Sequence, residues 1–150
     1  MFKEKDNMRP GPTPERVLAM CRLVEKGSYS FQELFKLTEL DEESKTEEES
    51  IRRSIEAAEE LKLIGKKGDK YSLLIDKASL ESAEAFRKTI SPIIFSNSQS
   101  TFFKLTEWYI AHSDLTQSIN RFDDFAANAE KNGVESVTEN DVLGWRFWMR

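Results

Sequence analysis

The chain has 150 residues, 39% hydrophobic and 33% charged, with a formal net charge of −5, one cysteine and one histidine. This balance belongs to a globular protein of one large or two small domains, and it excludes a disordered chain or a membrane span. Cys21 alone makes no intramolecular disulfide, His112 alone supplies no multi-ligand metal site, and net acidity argues against bulk coating of nucleic acid while leaving room for a local basic patch.

Residues 1–12 are polar, lack the apolar core of a secretory signal, and read as a flexible lead-in ending at Pro10-Gly11-Pro12. The expected location is therefore the cytoplasm. Thr13-Pro14-Glu15 marks a helix start, since Thr caps, Pro fits the first helical position and Glu meets the positive end of the dipole. Val17, Leu18, Cys21 and Val24 follow on one apolar face, and Gly27 ends the helix. Ser30 opens a second helix with Phe31, Leu34, Phe35 and Leu40 toward the core, and a polar turn over Asp41 to Lys45 leads to a third. There Thr46 and Glu49 read as a capping box, and Ile51, Ile55, Ala58 and Leu61 form the buried stripe. The period then changes: Leu63 to Lys66 and Lys70 to Ile75 read as two strands around the Lys67-Gly68-Asp69 turn.

The run Ile51 to Ile64, closed by Gly68-Asp69-Lys70-Tyr71-Ser72-Leu73, resembles the recognition helix and wing of bacterial and archaeal winged-helix proteins. The expected fold is mainly α with one small β-hairpin: a winged-helix domain over residues 13–76, then a helical domain over residues 77–150 that continues past Arg150 in a longer protein. The resemblance implies a DNA reader or a protein-docking module, because both uses occur on this fold.

Charge divides the candidate interface. Glu39 to Glu60 carries a net −7, and Lys62 to Lys77 a net +3. Glu47, Glu48 and Glu49 occupy the helix start that would enter a major groove, where three carboxylates meet phosphate repulsion. Arg52 and Arg53 could offset them, but they stand four residues after Glu48 and Glu49, the spacing of intrahelical ion pairs. Lys66, Lys67 and Lys70 on the wing are the better candidates for a phosphate backbone, although lysines also guard exposed hairpins against edge pairing. Tyr71 is expected to pack beneath the wing.

In the second half, Ser79 reads as the cap of a helix running to Ile90, broken at Ser91-Pro92. After a polar loop over Phe95 to Ser100, an aromatic helix carries Phe102, Phe103, Leu105, Trp108, Tyr109 and Ile110. Leu115, Ile119, Phe122, Ala126 and Ala129 mark one face of a further helix ended by Asn132-Gly133. Thr138-Glu139-Asn140-Asp141 starts the last helix, with Trp145, Phe147 and Trp148. Trp108, Trp145 and Trp148 are either core or anchors for a partner protein. A winged helix followed by a unit containing Glu107 to Asp114 resembles accessory proteins of bacterial DNA-modification and antiphage-defence loci.

Catalysis finds little support. Cys21 sits on an apolar face, His112 and Asp114 are too close in sequence to face each other on a helix, and Asp123-Asp124 has no companion ligands. No catalytic residue, metal or cofactor is expected. The leading expectation is a non-catalytic subunit of a larger bacterial assembly, in antiphage defence or transcriptional regulation, that meets double-stranded DNA through its wing and proteins through its aromatic half. The alternative is a docking module that uses its acidic third helix. A homodimer fits two-fold operators, although no heptad seam marks one.

Overall fold

The computed structural model describes residues 12–38 and 45–150, with the side chains of residues 45–47 left aside. Among the described residues the chain is mainly α-helical with one small antiparallel sheet, and it divides into two compact units, the first running to Ser91 and the second from Pro92 to Arg150. Of the expected lead-in only Pro12 is described, and it is buried. Leu40 and the turn from Asp41 lie outside the described residues, except for Lys45.

The first unit runs α1 (Pro14–Glu25), β1 (Tyr29–Ser30), α2 (Phe31–Thr38), α3 (Lys45–Glu60), β2 (Ile64–Lys67) and β3 (Lys70–Leu73). Thr13 caps α1 by accepting from the Arg16 N–H, with Pro14 at the first helical position. Val17, Leu18, Met20, Cys21 and Val24 form its buried face. Ser30 and Glu33 cap α2 reciprocally: Ser30 N donates to the Glu33 carboxylate at 2.7 Å and Glu33 N to the Ser30 hydroxyl at 3.2 Å. Leu34 is fully buried from this helix, whereas Phe31 and Phe35 are half-buried.

The expected capping box at Thr46 needs correction. The helix begins at Lys45, which puts Thr46 in its first turn, and the Glu49 carboxylate engages Arg53 and Arg52. Ile55, Ala57, Ala58 and Leu61 are buried, while Ile51 is only half-buried. The helix ends where Lys62 takes a left-handed φ of 56° and Leu63 N bonds back to Ala58 O at 2.9 Å, the pattern of a C-terminal αL closure without glycine.

The sheet has the order β1-β3-β2, so the anticipated hairpin acquires a third, two-residue strand by pairing Tyr29 with Tyr71 and Ser30 with Lys70. The unit continues past residue 76. A short 3-10 helix over Lys77–Leu80 is capped by Asp76, whose carboxylate accepts from Ala78 N. Arg22 of α1 donates to Leu80 O at 2.9 Å, and Arg87 lies 3.6 Å from Glu15, which ties this segment to α1.

Two helical expectations fail here. Ser79 is no long-helix cap, because α4 spans Ala83–Ile94 and Ser82 caps it through Ala85 N. Nor does Pro92 break the helix. It stands in the last turn, where its lost N–H and ring clash fall on the Lys88 carbonyl, yet Phe86, Ile90 and Ile94 keep the buried face intact across it.

The second unit is helical: α5 (Thr101–Ala111), α6 (Ser113–Thr116), α7 (Phe122–Lys131) and α8 (Glu139–Met149). Ser100 caps α5 through Phe103 N. The single helix expected from Leu115 to Ala129 is two. Thr116 and Ser118 turn their hydroxyls onto the carbonyls of His112, Ser113 and Leu115, the chain becomes extended at Arg121, and Leu115 is left 43% exposed. Asn132 caps α7 and Gly133 follows with φ 93°. Thr138 and Asp141 form a full capping box at the start of α8, with Asp141 buried.

An aromatic cluster fills this unit. Phe125 meets Trp108 edge-on at 5.0 Å and stacks on Trp145 at 5.6 Å, and Tyr109 meets Trp145 at 5.1 Å. Trp145 Nε1 donates to Thr106 Oγ1 at 2.9 Å. Among the described residues, no helix is long and apolar enough to cross a membrane.

Candidate nucleic-acid interface

β2 and β3 pair in antiparallel register, Ile64 with Leu73 through Lys67 with Lys70, and the loop between them is Gly68-Asp69. Gly68 has φ 67°, which a side chain adopts only with strain, and open space surrounds the position where its Cβ would stand. The turn is thus fixed by backbone chemistry rather than by packing. Ile64, Lys66, Tyr71 and Leu73 share one face of the hairpin, where Ile64 and Tyr71 are buried, while Lys66, Lys67 and Lys70 are exposed toward the tip. Tyr71 packs beneath the hairpin as expected, with Lys66 Nζ 5.5 Å from its ring centroid.

One acidic group tempers this basic tip. The Glu33 carboxyl is held below its usual range, first by the hydrogen bond from Ser30 N and, after its Ser30 hydroxyl contact, by the positive charges of Lys70 and Lys36. Because β1 pairs with β3, the Ser30–Glu33 cap of α2 is brought beside Lys70.

The α3 cations are otherwise committed. Arg53 Nε lies 2.9 Å from Glu49 Oε1, Arg52 Nη2 lies 3.4 Å from Glu48 Oε1, and Arg52 Nε lies 4.0 Å from Glu49 Oε2. The Arg52 guanidinium also stands 4.5 Å from the Phe31 ring centroid. These exposed pairs contribute only a few tenths of a kcal/mol each, but they leave the face between them internally neutralised. Further along the helix, Glu56 is exposed.

Elsewhere the sequence-level candidates sort by burial. Trp108, Trp145 and Trp148 are 4%, 5% and 6% exposed, which places all three in the core of the second unit. Its large apolar surface is instead at Phe95, Ile110, Leu115 and Met149. Cys21 is fully buried, and burial pushes its thiol up to about 12, far from an activated thiolate. His112 is exposed, with Nδ1 3.0 Å from Trp108 O and its ring stacked on Trp108. Asp123 is occupied by Arg121 at 2.6 Å. Among the described residues, no group of three or more acidic, histidine or cysteine side chains could hold a metal ion.

One constellation escaped the sequence reading. Arg121, Arg146 and Arg150, each near an aromatic residue in the chain, share the lining of a cavity of about 420 Å³ in the second unit. Arginine interleaved with aromatic residues on α8 was the signal that could have revealed it. Comparison of the chain with family models, with curated proteins and with solved structures finds no match.

Proposed function

We propose that the first unit is a winged helix, and that the chain works as a non-catalytic, DNA-associated subunit of a larger cytoplasmic assembly, in antiphage defence or transcriptional regulation. Its nucleic-acid contact is led by the wing, Lys66, Lys67 and Lys70, rather than by the third helix. The observation that carries this reading is the contrast in cation availability: three exposed lysines flank a glycine turn, while Arg52 and Arg53 are paired with Glu48 and Glu49. A lysine-tipped hairpin fits a phosphate backbone, which supplies affinity without reading sequence. Replacing Lys66, Lys67 and Lys70 together with Glu should abolish binding to random duplex DNA, and retained binding would refute the wing-led contact.

A second reading is favoured by the same helix. The exposed carboxylates of α3 suit a basic protein surface, with DNA left out altogether. Under that reading Glu48→Lys with Glu49→Lys removes a co-purifying partner, whereas the lysine reversal leaves it bound.

A further inference from the structure

We propose that the cavity of the second unit is a binding site for a small aromatic carboxylate. This site is independent of the wing contact. The cavity measures about 420 Å³, within the range of small-molecule pockets, and its wall is the Tyr109–Trp145–Phe125 cluster together with Phe122. That wall is preorganised. Trp145 is fixed at its nitrogen by Thr106, stacked on Phe125 and met edge-on by Tyr109. The buried Trp145 and Phe125 rings back the half-buried Tyr109 and Phe122, against which a planar ring could pack with little ordering of side chains.

The charge of the lining selects the ligand's polar end. Among the described residues three arginine side chains line the cavity and no acidic side chain does, in a chain of net charge −5. Arg121 is already engaged, since its Nε and Nη2 donate to the Asp123 carboxylate at 3.1 and 2.6 Å. Arg150 stands 5.3 Å from the Phe147 ring. Arg146 is held 5.4 Å from the Phe122 ring centroid, a contact that orients a guanidinium without neutralising it. An exposed guanidinium beside an aromatic wall presents the planar fork that a carboxylate accepts in two parallel hydrogen bonds. A neutral aromatic would use the wall and leave Arg146 unused; an inorganic anion would use Arg146 and leave the wall unused. An aromatic carboxylate uses both.

The test is a titration of the full chain with naphthoate, followed by heteronuclear NMR at the Trp145 indole N–H, with the neutral naphthamide as the matched control. Trp108 and Trp148 serve as reporters away from the lining. Naphthoate should shift the Trp145 resonance saturably, and both naphthamide and the Arg146→Gln variant should weaken binding by about tenfold, the scale of one exposed charge-assisted contact. Arg146 is exposed on α8, and the backbone spectrum of the variant verifies its fold. Absence of a saturable Trp145 shift with naphthoate would overturn the proposal, as would equal affinity for naphthoate and naphthamide.

Discussion

The third helix and the hairpin that follows it carry opposite charge and spend their charged groups differently. In α3, Arg52 and Arg53 are folded back onto Glu48 and Glu49, and the helix's contribution to the molecule is its buried side: Ile55, Ala58 and Leu61 at 1%, 0% and 1% exposure. In the hairpin the burial is confined to Ile64 and Tyr71, and the lysines project beyond the sheet. A net charge therefore says little about which element meets an anionic partner. What decides is whether each cation is already paired: the four-residue spacing in α3 supplies a carboxylate to Arg52 and Arg53, whereas among the described residues Lys66, Lys67 and Lys70 form no ion pair, although Asp69 lies in their loop.

The largest expected effect tests the structural half of that contrast. Ile55→Ala removes a fully buried side chain from α3 and should cost about 2–5 kcal/mol in denaturant unfolding. A loss below 1 kcal/mol, on the scale of surface substitutions, would show that α3 is not a core helix. Next is Gly68→Val at the tip of the hairpin. No atom stands near its Cβ, so the cost is backbone strain alone, about 1–2 kcal/mol, and it should weaken DNA binding by loosening the turn while the helical circular dichroism stays unchanged. Full binding by this variant would separate the contact from the turn.

Smaller effects sharpen the electrostatic half. Glu48→Gln with Glu49→Gln frees Arg52 and Arg53 at a stability cost of a few tenths of a kcal/mol per pair. Binding should then change little if the hairpin leads. A large gain would mean that the arginines reach the phosphates once released, and would return the third helix to the interface. The smallest expected change comes from Glu33→Gln. Gln keeps an acceptor for Ser30 N and removes the charge facing Lys70, so DNA affinity should rise by about twofold with only a small loss of stability. An unchanged affinity would show that Lys70 lies outside the contact.

Local chemistry made several elements legible in advance. Thr13-Pro14, Thr138 with Asp141, and Gly133 act within a turn of their own positions, and the α3 ion pairs follow from spacing alone. The features that escaped depend on distant partners or on competing local bonds. Two-residue β1 has no periodicity of its own and exists because Tyr29 and Ser30 meet Tyr71 and Lys70. The seven-residue interval between Leu115 and Phe122 looks helical throughout, yet the hydroxyls of Thr116 and Ser118 close the short α6 before α7 begins. Proline at residue 92 looked like a stop, but the buried face of α4 carries through it. For the candidate interface, the lysines were visible as a charge reversal, whereas the opposing Glu33 came into view only through the β1–β3 pairing. The cavity draws its arginines from Arg121 and from α8, positions that only the packing of the second unit brings together.

The most direct test of the wing-led contact is fluorescence anisotropy of the purified chain with random duplex DNA across a salt series, set beside the Lys66→Glu, Lys67→Glu, Lys70→Glu variant. Three phosphate contacts predict a logarithmic salt slope of about −2.7, and the variant should show no binding at any salt concentration. Absence of binding by the native chain at low salt, or an undiminished slope in the variant, would contradict it.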